Sequence, residues 1–356
     1  MILKELDTTS HEKLVRVSDE ATGLVGFIAI HSTCLGPALG GLRFWPYGSE
    51  ADAIEDVLKL SKGMTYKNAA ADLPLGGGKA AIIGDPKSVK SPELLKEFGE
   101  AVDALEGAYW TAEDMGVDPN DMEVVATSTR FVSGRKSGPF ASGDPAPVTA
   151  RGVFNAICLA ARHVFGTTDL NGRCVALQGL GNVGMQLGKL LHDAGAALVL
   201  SDIDRKQLSE AVERFGARSA EPDQIYDADA DFFAPCAVGG ILNEATIARL
   251  KVRIVAGSAN NQLARPEDGA RLFDRDILYA PDYVANTGGA INAATEILMV
   301  HDRPSWVAEK LASAQRLLES ILTEARMHRT RPELIADRLV KERLEADSLR
   351  LLRQSS

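Results

Sequence analysis

The chain has 356 residues, 45% hydrophobic and 25% charged, which is an ordinary globular composition but too long for one core; two domains are expected. Its formal net charge of −10 disfavours a nucleic-acid or anionic-membrane binder, whose footprint would be basic. The uncharged stretch Cys174 to Gly188 has 15 residues and four glycines, short of the roughly 20 apolar residues that a membrane span needs.

The start, Met1-Ile2-Leu3-Lys4-Glu5, lacks the positive-then-apolar pattern of a secretory signal. Cys34, Cys158, Cys174 and Cys236 stand singly, so buried free thiols and a cytoplasmic location are expected. The six histidines show no metal-ligand spacing, and no metal site is expected.

In chain order, Gly23 to His31 carries Val, Phe and two Ile in a strand-like pattern. Leu35-Gly-Pro-Ala-Leu-Gly-Gly41 is punctuated like a loop. Apolar spacing at Ala53, Ile54, Val57, Leu58 and Leu60 predicts a helix over Glu50 to Lys62. Gly76-Gly-Gly78 and Lys79 read as a loop feeding a short strand, Ala80 to Ile83. Ser91-Pro92 opens a helix to about Leu105, with Ser91 as N-cap. Trp110 to Gly116 reads as a loop carrying acids, and the Gly/Ser/Pro-rich Ser133 to Pro147 as an interdomain linker. A helix from Val148 to about Phe165 follows. Arg173 to Gln178, a helix from about Asn182 to Asp193, and Ala197 to Asp202 form a β-α-β unit. Further strands are expected near 231–234, 253–256 and 277–280, then helices from Ser305. Alternating strands and helices imply a parallel, doubly wound sheet.

Gly179-Leu-Gly181-Asn182-Val183-Gly184 lies between the first strand and helix of that unit. The first glycine permits the turn, the second lets backbone reach a pyrophosphate, and the third lets helix and strand pack. Asp202, 18 residues after Gly184, is placed to accept ribose hydroxyls and to repel a 2′-phosphate, which favours NAD. Arg205 and Lys206 lie close enough to neutralise such a phosphate.

Lys67 and Lys79, twelve residues apart among small and apolar neighbours, suit chemistry on an anionic substrate. A fixed ammonium holds a carboxylate as a point charge. A second lysine, desolvated and beside another cation, is a candidate base near neutral pH. Asp114 offers a carboxylate for proton exchange or for orienting Lys79.

These segments, with Gly63-Met-Thr-Tyr-Lys-Asn68, Ala112-Glu-Asp114, Ala234-Pro-Cys-Ala237, Ala259-Asn-Asn-Gln262 and Tyr279-Ala-Pro-Asp-Tyr283, resemble the glutamate, leucine, phenylalanine and valine dehydrogenase family in its own order over about residues 10–295. The likeness is greatest to its leucine-specific members. The resemblance implies an N-terminal α/β substrate and oligomerisation domain (1–138), a C-terminal Rossmann domain (139–329) with a cleft between them, and C-terminal helices (330–356) packing back on the first.

By the same resemblance, Lys67 binds the substrate carboxylate, Lys79 activates water against an imine, and Asp114 exchanges protons with the amino group. Leu39, Gly40, Gly41, Met64, Ala290 and Ala293 would line the side-chain pocket, and Asn261 would contact substrate or nicotinamide. Cys236, Ala237, Asn260 and Asn286 would join Gly179, Gly181, Asn182, Val183, Gly184 and Asp202 around NAD. No cation stands among the pocket residues, so an apolar L-amino acid is the expected substrate and a homo-oligomer the expected assembly. Ala290 and Ala293 stand where larger residues are usual, which opens the pocket toward phenylalanine. The alternatives are an aromatic-specific dehydrogenase, a non-catalytic dinucleotide sensor and a hydroxy-acid oxidoreductase; a sensor would need none of Lys67, Lys79 and Asp114.

Overall fold

The computed structural model describes the backbone of residues 1–354 and the side chains of residues 1–346. The chain divides into two compact units. The first holds Met1–Pro145, Ala290–Ala308 and the chain from Val340; the second holds Ala146–Gly289 and Glu309–Leu339.

The first unit opens with strands β1 (Ile2–Leu6), β2 (Lys13–Asp19), β3 (Leu24–Ser32) and β4 (Ala38–Trp45). Helix α1 (Glu50–Ala70), β5 (Gly76–Ile83), α2 (Pro92–Asp103), β6 (Tyr109–Glu113) and α3 (Pro119–Val125) follow. The six strands form one sheet in the order β1-β2-β3-β5-β4-β6. β4, β5 and β6 are parallel, and β3 runs antiparallel to β5. Ser49 caps α1 through Asp52 N, and Ser91 caps α2 through Leu94 N with Pro92 at its first position.

Local composition misleads here in four places. Residues 38–41 lie in β4, residues 76–79 in β5 and residues 110–113 in β6, where their glycines and acids suggest loops. Helix α1 runs to Ala70 and carries Met64 and Lys67, well beyond the Lys62 that its apolar spacing suggests. The glycines serve close packing. A Cβ on Gly77 would lie 2.1 Å from the Thr65 backbone nitrogen of α1, and one on Gly40 1.7 Å from the Gly78 carbonyl oxygen.

The second unit begins with α4 (Ala146–Phe165), β7 (Cys174–Gln178), α5 (Asn182–Asp193), β8 (Ala197–Ser201), α6 (Arg205–Phe215) and β9 (Arg218–Ser219). It continues through β10 (Phe232–Pro235), α7 (Glu244–Arg249), β11 (Ile254–Val255), α8 (Glu267–Asp274), β12 (Leu278–Tyr279) and α9 (Asp282–Ala285). Its sheet is fully parallel, in the order β12-β11-β10-β7-β8-β9. The winding reverses between β7 and β10, the position where open α/β sheets bind ligands beyond the strand C-termini.

Helices α10 (Gly288–Ile297), α11 (Arg303–His328) and α12 (Pro332–Gln354) complete the chain. The boundaries differ from 138, 329 and 330 for a visible reason. Glu296 Oε2 on α10 accepts from the backbone nitrogens of Gly134 (2.9 Å), Arg135 (3.3 Å) and Ser142 (3.0 Å). Arg303 Nη1 donates to Ala141 O (2.9 Å). The Gly/Ser/Pro-rich segment therefore belongs to the first unit as far as Pro145, and 290–308 joins it there. The C-terminal return starts at Val340, with Arg343 donating to Ala69 O and Asp72 Oδ1; residues 332–339 stay with the second unit. The four cysteines are free and half-buried, less buried than a core thiol. Among the described residues no helix is long and apolar enough to cross a membrane.

Candidate active site

Strand alternation sorts the first sheet's residues onto two faces. Ala81 packs with Ala53 and Val57 of α1, whereas Ala80, Leu42, Phe44 and Tyr109 pack with the α2 core. Leu39, Gly41, Arg43 and Lys79 therefore share the α1 face, and Asp114, just past β6, joins them. The Lys79 Nζ donates to Asp114 Oδ2. Arg43 Nε donates to the same oxygen at 3.2 Å. Lys79 is 6% exposed. Burial by itself would push the Asp114 carboxyl up; the charges of Lys79 and Arg43 override it and hold it at about 2. The face thus carries a buried anion held between an ammonium and a guanidinium.

Lys67 is half-buried in the last turn of α1. Thr65 lies against Gly77, and Lys67 and Lys79 each sit two residues further along their packed elements. Met64 is half-buried on the same helix, and His31 Nδ1 meets Thr65 Oγ1 at 2.8 Å. A Cβ on Gly41 would lie 2.9 Å from Asp114 Cβ, so only glycine lets that carboxylate approach. Gly40 alternates onto the opposite face, where its carbonyl accepts from Tyr109 Oη (2.6 Å). Ala290 is buried and Ala293 half-buried, both on α10. Sequence reasoning misses Arg43; its only signal is one charge inside the apolar run Leu42-Arg43-Phe44.

In the second unit, Gly179 takes φ +93°, and a Cβ there would lie 2.7 Å from Ala237 N. A Cβ on Gly184 would lie 2.0 Å from Gly179 O, so β7 and α5 meet through bare backbone. Gly181 is the N-cap of α5 with no side-chain cap, and a Cβ there would meet nothing within 4 Å. Asn182 and Val183 form the first turn. An uncapped helix start beside open space fits a pyrophosphate. Asp202 Oδ2 accepts from Leu180 N (2.6 Å), which braces the glycine loop against the end of β8. Cys236 N donates to Gln178 O (2.7 Å), bringing residues 236–237 to the same crevice.

Asn286 Nδ2 donates to Ser258 O (3.0 Å) and Asn260 Oδ1 (2.8 Å), while its Oδ1 is buried with no hydrogen-bond partner. An orphaned acceptor of this kind fits a carboxamide N–H₂. Asn261 takes φ +51°, a left-handed conformation that asparagine tolerates, and its carbonyl accepts from Gly240 N (2.7 Å). The donors and glycines present thus suit a nicotinamide dinucleotide.

Known proteins resemble this chain in sequence and in fold. Residues 9–131 match a family described as Glu/Leu/Phe/Val dehydrogenase, dimerisation domain, and residues 200–330 match Glutamate/Leucine/Phenylalanine/Valine dehydrogenase. The chain is 44% identical to leucine dehydrogenase of Bacillus subtilis (strain 168) over 97% of its own length and 94% of the relative's. It is 40% identical to phenylalanine dehydrogenase of Thermoactinomyces intermedius, over 97% and 94%. The crystal structure of L-tryptophan dehydrogenase from Nostoc punctiforme superposes with a TM-score of 0.80 at 38% identity, covering 95% of this chain and 97% of that one. With both sheets, the Lys79–Asp114 pair and the glycine cradle in place, the chain belongs to the glutamate/leucine/phenylalanine/valine dehydrogenase family, oxidoreductases of amino acids that use a nicotinamide dinucleotide.

Proposed function

We propose that this protein carries out the reversible, NAD-dependent oxidative deamination of an apolar L-amino acid, leucine first, to its 2-oxo acid and ammonium. The buried contact between Lys79 and Asp114 is the observation that carries the reading. A dinucleotide sensor has no use for it, and a hydroxy-acid enzyme would ask for a different acid–base pair. The 44% identity to leucine dehydrogenase of Bacillus subtilis supports the substrate.

The bound nicotinamide supplies the hydride acceptor. Lys67 holds the α-carboxylate as a point charge. Asp114 faces the amino group and takes and returns its protons. Lys79, having lost its proton, accepts one from the water that adds to the iminium carbon; burial keeps competing water away. Collapse of the carbinolamine releases ammonium. Asn261 contacts the substrate or nicotinamide region, and Leu39, Gly41, Met64, Ala290 and Ala293, all in the first unit, shape the side-chain pocket.

NAD is favoured over NADP by Asp202 and by the fate of Arg205. Its guanidinium is engaged twice by Glu221, at 2.8 and 2.6 Å, a partner with which a 2′-phosphate would have to compete. The dimerisation-domain match over residues 9–131 supports a homo-oligomer.

A roomier pocket is favoured by Ala290 and Ala293, since each missing methylene-sized group is worth about 1–3 kcal/mol of discrimination, and the tryptophan-dehydrogenase structural relative points the same way. NADH formation by purified protein tests the whole reading. L-Leucine is expected to give the highest kcat/KM and L-phenylalanine a measurable one. NADP is expected to replace NAD poorly. A preference for L-glutamate, or activity on 2-hydroxyisocaproate instead of leucine, would overturn it.

A further inference from the structure

The ionic contacts of Asp114 do not end at Arg43. Arg43 Nη1 donates to Asp56 Oδ2 on α1 at 3.0 Å, and Tyr47 Oη donates to the same Asp56 oxygen at 2.6 Å. Lys79, Asp114, Arg43, Asp56 and Tyr47 thus form one hydrogen-bonded row across the α1 face of the first unit. The row runs from a dry end to a wet one. The Lys79 side chain is 7% exposed. Arg43, Tyr47 and Asp56 line an open cavity of about 390 Å³ that also holds Asp52, Glu55 and Lys59.

The two cations on Asp114 Oδ2 differ in kind. A lysine ammonium can give up its proton in a buried site, whereas a guanidinium does not at any working pH. When Lys79 is neutral, half of the charge that opposes Asp114's burial is gone. Burial then favours the protonated carboxyl, which could no longer face the substrate amino group as an anion. Of the two cations only Arg43 then remains to oppose this, beside the hydrogen bond from the Met115 backbone, and it must stay within reach to do so. Asp56 holds Arg43 through Nη1, and Tyr47 in turn bonds Asp56, so the guanidinium is tied on the side away from Asp114 as well. The groups facing Asp114 are Lys79 of β5, Arg43 of β4, Glu113 and Tyr109 of β6, Tyr47 just past β4, and the backbone of Met115. Those facing Arg43 are Asp114, Asp56 and Tyr47.

We infer that Arg43 is a positioning residue that keeps Asp114 ionised and aimed during the part of the cycle when Lys79 is uncharged, and that Asp56 and Tyr47 hold Arg43 for that task. The inference rests on the proposed deamination for its purpose, but the charge state of Asp114 can be read without any turnover.

The test combines two measurements on the full chain. Aspartate carboxyl carbons are labelled with ¹³C and titrated by NMR, with the Asp114 signal assigned by its loss in Asp114→Asn. Steady-state kinetics with L-leucine and NAD follow in the same variants. In Arg43→Gln the Asp114 midpoint is expected to rise by about one pH unit or more. Its kcat is expected to fall about 10²-fold through misplacement of the carboxylate, with KM for NAD within about twofold. Arg43→Lys should restore part of both losses, and Asp56→Asn should reproduce both in weaker form. An unchanged Asp114 midpoint in Arg43→Gln, or unchanged kcat in both Arg43→Gln and Asp56→Asn, would overturn the inference. If Arg43→Gln does not fold, Arg43→Lys and Asp56→Asn decide it by the same readings. A wild-type protein inactive on every amino acid would refute the proposed reaction, and the titration would still decide the role of Arg43.

Discussion

Lys79→Ala is expected to lower kcat for L-leucine by about 10²- to 10⁴-fold, the range of a lost general acid–base group, with NAD affinity within about twofold of wild type. The contrast follows from where the residues sit. Lys79 lies on β5 of the first unit, whereas Gly179, Gly181, Gly184 and Asp202 belong to the second. The variant is also expected to fold. Truncating one partner of a buried ion pair is costly when it strands the other charge, but Asp114 keeps Arg43 at 3.2 Å. Kinetics, calorimetric titration with NAD and a thermal melt check the three parts. Near-normal turnover in Lys79→Ala would remove the base from the account.

Gly77→Ala is expected to destabilise the fold although it adds only one methyl group. The added methyl would lie 2.1 Å from Thr65 N, 2.2 Å from Thr65 Oγ1 and 2.6 Å from Ser61 O. None of these can turn aside, since two are helix backbone and the third is on a fully buried side chain. The strand cannot retreat either. β5 is paired on both edges, with Gly77 opposite Ser32 on one side and Leu39 on the other. Overpacking of this kind costs about 1–3 kcal/mol and occasionally more, and this site belongs at the upper end. The melting temperature should fall by about 5–10 °C. Gly63→Ala on the same helix serves as its control, because a Cβ there meets nothing within 4 Å. An alanine inside a helix is favoured over glycine by about 1 kcal/mol, so that variant should melt at or above wild type. Equal melts for Gly77→Ala and Gly63→Ala would contradict the packing described.

The second unit was far easier to read from sequence than the first, and the reason is physical. Its β-α-β core is contiguous, so every cue lies within one short window: α5 spans Asn182–Asp193, as its periodicity and glycine loop indicate. In the first unit the cues lie far apart. Gly40, Gly76, Gly77 and Gly78 look like loop residues because glycine is the commonest loop signal. They sit in paired, buried strands because neighbouring backbone and Tyr109 come too close for a side chain. That demand comes from tertiary contacts, which no local pattern carries. Arg43 is invisible for the same reason, with partners 71 and 13 residues away in the chain. Glu296, whose carboxylate gathers the 134–142 segment, reaches across more than 150 residues. Lys79 and Asp114 were legible because their flanks are apolar and their motifs resemble a family, not because spacing alone brings them together.

Dependence on ammonium tests the central claim most directly, since it asks whether the chemistry here is that of a carbon–nitrogen bond. Purified protein is mixed with NADH and 4-methyl-2-oxopentanoate, with and without ammonium, and NADH loss and product are followed together. NADH should be consumed only when ammonium is present, with L-leucine formed in equal amount. Consumption without ammonium, yielding the 2-hydroxy acid, would contradict the assignment of Lys79 and Asp114 to an amine.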